Sequence, residues 1–481
     1  MIALSLAEIT SLVGGRPYDI PDPEAQVTGP VVIDSREVRP GSLFAALPGD
    51  RVDGHDFAHR AVEAGATAVL ASRPVGDAEH PVPVIVVDDV VAALGALARG
   101  IVDRLGTTVV ALTGSAGKTS TKDLIAQLLE RLGPTVWPPG SFNNEIGLPL
   151  TALRADADTR HLVLEMGARG IGHIDYLTRL TPPRIGVVLN VGTAHLGEFG
   201  GREQIAAAKG ELVESLPAAD AGGVAVLNAD DPLVRAMASR TKARTVLFGE
   251  AEDAAVRAEN VRLTAEGRPA FTLHTPTGCS DVTLRLYGEH HVSNALAAAA
   301  VAHELGMPVD EIAKALSEAG QLSRWRMEVT ERADGVTVVN DAYNANPDSM
   351  RAALRALVAM GKAGEARGGR TWAVLGQMAE LGEESLAEHD AVGRLAVRLN
   401  VSKLVAVGGQ EAAWLDMGAK NEGSWGEESV HVSDVRAAVD LLRSELRPGD
   451  VVLVKASRAV GLERVAQALL ETEGEVAGRW A

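Results

Sequence analysis

The stretch that most limits what this chain can fold into runs from residue 107 to 123, Thr-Thr-Val-Val-Ala-Leu-Thr-Gly-Ser-Ala-Gly-Lys-Thr-Ser-Thr-Lys-Asp. An apolar, β-branched run from Val109 to Leu112 stops at a turn holding Gly114 and Gly117. After Lys118 and Thr119, apolar residues return at helical spacing, at Leu124, Ile125, Leu128 and Leu129. The order is strand, phosphate loop, helix. Glycines let backbone N–H groups converge on phosphate oxygens, and the helix that follows adds its positive end. Lys118 is then placed to reach terminal phosphates, and the Thr119 hydroxyl to hold Mg²⁺. The common form of this loop carries a further glycine where this chain has Leu112, so the loop is a short variant, Gly-x-x-Gly-Lys-Thr. An ordinary glycine turn is the rival on pattern alone; the strand before it and the helix after it favour nucleotide binding.

At 481 residues the chain is too long for one core, and a prior of about 150 residues per domain gives roughly three. Only 3% of its residues are aromatic, so alanine and valine must fill much of the interior. A formal charge of −18 argues against a nucleic-acid backbone as partner, because such binding needs clustered cations that release counterions. The single cysteine, Cys279, rules out an internal disulfide and a multi-cysteine zinc site. Met1 to Glu8 carries no basic leader, and apolar runs elsewhere are broken by charges. The expectation is a cytoplasmic protein without membrane insertion.

Along the chain, residues 1–106 read as alternating short helices and strands: a helix over 4–13, then β-like runs over 27–33, 43–47, 66–71 and 84–87. Two charged loops interrupt them, Asp34-Ser35-Arg36 and the segment from Gly49 to Phe57 that contains Asp56. Strand-end loops are where α/β folds put ligands, and without a family these loops are solvated turns as readily as sites. Residues 107–322 form the phosphate-loop unit. Behind its loop, a Pro- and Gly-rich stretch sets Asn143, Asn144 and Glu145 together. One strand ends at Glu165 and another leads to His195, which brings both towards a metal beside the loop. Glu suits Mg²⁺, whereas His alone suits softer ions or a structural role. A helix from about Glu203 carries Lys209, and residues 255–287 read as an antiparallel appendage. From 323 to 481 strand and helix alternate again, which predicts a small parallel sheet covered on both faces. Its polar loops, Asp341 to Met350, Gly376 to Gly382 and Lys455 to Arg458, fall at strand C-termini and form one binding edge.

Together these motifs resemble the Mur ligase family: Thr113-Gly-Ser-Ala-Gly-Lys-Thr119, Phe142-Asn-Asn-Glu-Ile-Gly-Leu-Pro-Leu-Thr151, Asn190 to Gly200, Ala208-Lys-Gly-Glu211, His290 to Asn294, Asp341 to Met350 and Lys455 to Arg458. The resemblance covers nearly the whole chain, and the second motif is similar to that of the members that add D-alanyl-D-alanine. It implies an α/β protein of three domains: a small N-terminal α/β domain (1–106) for the UDP end of a precursor, a central ATPase with a parallel-rich sheet (107–322), and a C-terminal Rossmann-like lid (323–481). It implies an ATP-dependent acid–D-amino-acid ligase acting in peptidoglycan synthesis. Its substrates would be UDP-N-acetylmuramoyl-tripeptide and D-alanyl-D-alanine, and the protein a monomer.

By the same resemblance, Thr113, Gly114, Ser115, Ala116, Gly117, Lys118 and Thr119 bind ATP, with Asn294 at adenine, Arg326 at phosphate and Asp341 at the ribose. Lys118, Glu165, His195 and Lys209 form the catalytic group. Thr119 and Glu165 hold one Mg²⁺, and His195 lies near a second, to which a carbamate on Lys209 would add an oxygen ligand. Asp34, Ser35, Arg36 and Asp56 face the UDP-sugar, while Asn143, Asn144 and Glu145 line the muramoyl arm. Three positions depart from the family: Trp325 and Ala456 replace common glycines, and Gln377 replaces an Asp. The alternatives are another amide ligase of this architecture (diaminopimelate- or lysine-adding, or folylpolyglutamate type), a P-loop kinase, and a nucleotide-switch module. A kinase would need no third domain, and a switch would turn over ATP without a second substrate.

Overall fold

A computed structural model of the chain describes residues 1–49, 52–77, 79–192, 201–365, 368–424 and 426–471. Three sheets organise it. The N-terminal sheet has the strand order Arg16–Tyr18, Val84–Val86, Ala68–Ala71, Leu43–Ala45, Val31–Val32, parallel except for its first strand. The run expected over 27–33 is instead two short pieces, Gln26–Val27 and Val31–Val32. Gly29 and Pro30 separate them: a Cβ on Gly29 would stand 2.7 Å from the Ser42 nitrogen, and proline has no N–H for a ladder. The first helix is Leu6–Leu12, one turn shorter than expected, because Ser5 caps it and Glu8 bonds back to the Ser5 N–H.

The central sheet has nine strands. Thr108–Thr113 is an interior strand, with Ile185–Val188 on one side and His161–Glu165 on the other. Because the chain leaves Thr108–Thr113 towards one side and returns on the other, the phosphate loop sits at a topological switch point, where open α/β sheets form their crevice. The register pairs Glu165 with Leu112 and Val188 with Thr113, so both flanking strands end level with the loop. Val256–Leu263, Pro269–Thr275 and Gly278–Thr283 extend this sheet, the last two running antiparallel.

The C-terminal sheet runs Glu328–Glu331, Thr337–Asn340, Val451–Lys455, Thr371–Leu375, Lys403–Val407, Ser429–Val432, parallel apart from the first. Its first parallel strand and its last in the chain are neighbours, with Asn340 opposite Val454, and this sets Asp341 beside Lys455. The helix Gln410–Glu422 and the strand Ser429–Val432 are additions to the sequence reading. The helix buries Ala412, Leu415 and Ala419, mostly small residues that leave a faint apolar stripe.

The helix Val90–Leu105 joins the first two units. Its Leu94, Leu97 and Ile101 share one core with Val109, Ala111, Leu148 and Leu177 of the central unit and with Leu43 and Leu70 of the N-terminal sheet. The C-terminal sheet keeps its own cores, one on each face. Among the described residues no helix is long and apolar enough to cross a membrane.

Candidate active site

A cleft of about 980 Å³ opens over the phosphate loop, lined by the central unit, the C-terminal unit and the start of Val90–Leu105. The loop leads into the helix Lys118–Leu129, whose N-terminal end faces the cleft. Both of its glycines are required. Gly117 has φ +79°, and a Cβ there would stand 2.6 Å from Asn294 Oδ1; one on Gly114 would stand 2.9 Å from the Leu189 Cβ. The loop is stiffened by Asn190, whose Oδ1 accepts from the N–H groups of Ser115 and Ala116, each at 2.9 Å. Ser115 Oγ accepts from the Gly192 N–H at 2.9 Å.

Lys118 Nζ donates to the Gly114 carbonyl at 2.8 Å. Burial lowers its pKa, against which the nearby Glu165 carboxylate pulls upward. Thr119 Oγ1 lies 2.6 Å from Ser141 Oγ and donates to Glu165 Oε2 at 3.0 Å, while Asn143 Nδ2 donates to Glu165 Oε1 at 2.8 Å. From the linker into the C-terminal unit, Arg326 Nη2 reaches both hydroxyl oxygens at 3.2 Å. Its guanidinium stacks 4.1 Å from the Tyr343 ring centroid. Thr119, Ser141 and Glu165 thus bring two hydroxyls and one carboxylate together, a hard-oxygen set of the kind Mg²⁺ completes with water and substrate phosphates.

Lys209 is buried, and its ammonium has no hydrogen-bond or ion-pair partner among the described residues. Burial, and then the Lys118 charge, hold its pKa well below that of an ordinary lysine. Glu211, two residues on, caps another element: its oxygens accept from the N–H groups of Gly172 (2.6 Å) and Asp175 (3.0 Å) at the start of the helix His173–Leu180. On the opposite wall, Lys455 Nζ donates to Asp341 Oδ2 at 2.6 Å and to the Asn344 carbonyl at 2.9 Å, both charged side chains being buried. Asp341 Oδ1 accepts from the Met327 N–H at 3.1 Å. His290 and His291 stack with ring centroids 4.2 Å apart, and burial pushes His290 down to about 4. Asn294 bonds to His291 Nδ1 at 3.3 Å.

The cleft therefore gathers Ser115 to Thr119, Asn143, Asn144, Glu145, Glu165, Lys209, Asn294, Arg326 and Asp341. Thr113 is buried beneath the loop with its hydroxyl unpartnered. Asn144, although it lines the cleft, spends its Oδ1 on the Gly147 N–H (2.9 Å), at the start of the helix Gly147–Ala152. His195 lies outside the described residues. Asp34, Ser35, Arg36 and Asp56 do not line this cleft. Arg36 Nη2 pairs with Asp34 Oδ2 at 2.6 Å, a hydrogen bond that lowers the Asp34 carboxyl to about 2, and Asp56 is exposed. Gln377 does not line the cleft, and its amide nitrogen donates to Glu411 Oε1 at 3.1 Å.

Sequence reasoning did not single out Asn190, Ser141, Lys455 or Tyr343. Each lies in a polar loop that it did mark, but their roles rest on partners 17 to 185 positions away. It also missed Lys122 and Asp123. Fully buried Lys122 donates to the Pro138 carbonyl (2.8 Å) and Ser323 Oγ (3.3 Å), while Asp123 accepts from the Ser323 N–H (3.0 Å) and hydroxyl (3.1 Å). They tie the phosphate-loop helix to the linker that carries Arg326.

Comparison with known proteins agrees with this geometry. Residues 30–101 match the model of the Mur ligase family catalytic domain, 112–302 that of the Mur ligase middle domain, and 325–458 that of the Mur ligase glutamate ligase domain. The chain is 52% identical over 504 residues to UDP-N-acetylmuramoyl-tripeptide–D-alanyl-D-alanine ligase of Mycobacterium tuberculosis, covering 98% of both. The solved UDP-N-acetylmuramoylalanyl-D-glutamyl-2,6-diaminopimelate–D-alanyl-D-alanyl ligase from Acinetobacter baumannii superposes with a TM-score of 0.82 at 30% identity, over 98% of this chain and 99% of that one. MurF ligase from Thermotoga maritima in complex with ADP gives 0.78 at 32% identity, over 94% and 99%. With three family models matched in order and half its residues shared with such a relative from end to end, the chain belongs to the Mur ligase family.

Proposed function

We propose that this chain is the ATP-dependent ligase that joins D-alanyl-D-alanine to UDP-N-acetylmuramoyl-tripeptide in peptidoglycan synthesis. The observation that carries the reading is the meeting, over one phosphate loop, of Lys118, Thr119 and Glu165 from the central unit with Arg326, Asp341 and Lys455 from the linker and the C-terminal unit.

Joining a carboxylate to an amine in water requires an activated acyl group. The precursor's terminal carboxylate attacks the ATP γ-phosphorus; the new O–P bond forms as the bond to ADP breaks, leaving an acyl phosphate. The dipeptide amine then attacks the acyl carbon, phosphate leaves with the C–O electron pair, and the amine's proton is lost. The first step presses two anions together. Lys118, Arg326 and the helix start at residue 118 offset that repulsion, and positioning and electrostatics supply most of the acceleration. Thr119, Ser141 and Glu165 fit Mg²⁺, which when bound screens the charge on the phosphates. His195 and Lys209 belong to a second ion on this reading. The neutral amine that burial favours at Lys209 is the form that combines with CO₂ to give a carbamate and a proton. Asn294 and Asp341 hold adenosine, with the Asp341 carboxylate already oriented by Lys455.

We assign residues 1–106 to the UDP end, with Asp34, Ser35, Arg36 and Asp56 as its contacts, 107–322 to ATP, and 323–481 to the lid. Asn143, Asn144 and Glu145 follow the muramoyl arm. The reading takes the protein as a monomer working in the cytoplasm. Phosphate release measured with the tripeptide precursor alone, with the dipeptide alone and with both tests the reading. Turnover is expected only with both, and turnover undiminished without the dipeptide would overturn it.

A further inference from the structure

The wall of the cleft nearest the N-terminal unit carries a charge that the reaction above does not use. Arg169 stands four residues after Glu165, in the loop between the strand His161–Glu165 and the helix His173–Leu180. That loop is pinned at both ends: the Met166 N–H donates to the Leu112 carbonyl (2.8 Å), the Gly167 N–H to the Asn143 carbonyl (2.9 Å), and the Gly172 N–H to Glu211 (2.6 Å). The Arg169 N–H itself donates to His173 Nδ1 at 3.3 Å. Its side chain is exposed, lines the cleft, and makes no hydrogen bond or ion pair with any described residue. The same cleft is lined by Glu145, whose carboxylate is likewise unpaired among the described residues, and by Asp89 at the start of Val90–Leu105. Tyr176 stands close to both acids: its phenol is raised by burial and then by the Asp89 and Glu145 charges. One cleft thus holds a free guanidinium on a pinned loop and two carboxylates near Tyr176, of which Asp89 also accepts through Oδ1 from the Val91 and Ala92 N–H groups (2.8 and 3.1 Å).

We infer that Arg169 selects the third residue of the peptide by pairing with a carboxylate on its side chain, so that the chain prefers a tripeptide ending in 2,6-diaminopimelate to one ending in lysine. The inference rests on the ligase reading. The carboxylate to be activated must lie against the loop that bears Lys118 and Glu165. The side chain of the residue that owns it is then confined to the neighbouring wall, where Arg169 stands. A 2,6-diaminopimelate side chain ends in a carboxylate and an ammonium, which Arg169 and the Glu145–Asp89 pair complement together. Lysine offers the ammonium alone. Guanidinium and carboxylate match in a two-pronged geometry that an ammonium cannot copy.

The test compares two precursors that differ only in the third residue. In the unaltered enzyme kcat/KM should favour the diaminopimelate precursor. Arg169→Ala should cut that value about ten- to hundredfold, mainly through KM, with the lysine precursor changed less than threefold. Arg169→Lys should recover only part of the loss. An equal loss on both precursors would overturn the inference and assign Arg169 to another carboxylate of the peptide; no loss on either would overturn it too. Inactivity of the unaltered enzyme on both precursors would instead overturn the ligase reading. Because Arg169 is exposed and unpaired, an unchanged melting temperature in Arg169→Ala separates recognition from misfolding.

Discussion

Asn190 and Ala116 exchange two hydrogen bonds: the Ala116 N–H donates to Asn190 Oδ1 at 2.9 Å, and the Asn190 amide nitrogen donates to the Ala116 carbonyl at 3.1 Å. A second N–H, from Ser115, shares the same oxygen at 2.9 Å. A side chain from the neighbouring strand end thereby sets the shape of a loop that must receive phosphates. Asn190→Ala should raise KM for ATP about tenfold by loosening that shape. Asn190→Asp keeps the acceptor but adds an anion where phosphates bind, and should be worse than alanine. Steady-state kinetics at varied ATP check the order of the two variants.

Lys209 lends itself to a separation of stability from activity. Its folded-state pKa is depressed, chiefly by burial, so at a pH between the folded and unfolded values the unfolded chain holds a proton that the native state does not. Stability therefore rises with pH through that window, and below it the native state bears the full penalty of a buried charge. Lys209→Met should be at least as stable as the parent at low pH, with the gap narrowing as pH rises towards 10, the ordinary lysine range. Urea titrations at several pH values measure this. Activity should fall at least tenfold in the same variant. If the carbamate reading holds, Lys209→Ala should regain part of its activity with short carboxylic acids.

Trp325 has φ +59°, a conformation that favours glycine, and its ring stacks 4.3 Å from the Arg458 guanidinium carbon. The left-handed backbone costs about 1 kcal/mol, and the stack returns about 0.5–1 kcal/mol. Trp325→Gly should accordingly leave stability within about 1 kcal/mol of the parent. Trp325→Ala keeps the strain, loses the stack, and should be the less stable of the two by denaturant unfolding.

Lys455→Met leaves the Asp341 carboxylate buried without its cation, at a cost of about 3–5 kcal/mol. The loss should appear in chemical denaturation with no ligand present. Arg326→Lys should hold the fold but lower kcat/KM for ATP about ten- to hundredfold, since an ammonium neither stacks on Tyr343 nor spans Thr119 and Ser141 as the guanidinium does.

What could be read in the sequence was whatever is local. The phosphate loop, Glu165 at its strand end and the alternation of strand and helix all follow from spacing within a dozen residues. Asn144 shows the limit: it lines the cleft beside Asn143 and Glu145, yet its Oδ1 is already held by the Gly147 N–H, a choice decided by backbone geometry. Gln377 shows another, for its bond to Glu411 depends on the first turn of the helix Gln410–Glu422. The Lys122–Asp123 tie to Ser323 spans about 200 positions and has no local signal at all.

The core that Val90–Leu105 shares between the first two units has a consequence for the substrate. If the loops at 34–36 and 54–57 grip the nucleotide end, one rigid interior sets their distance from the phosphate loop. These two units then act as a caliper: a precursor too short or too long by one peptide unit presents its carboxylate in the wrong place. The C-terminal unit, with its separate interior, can follow the nucleotide without disturbing that measurement.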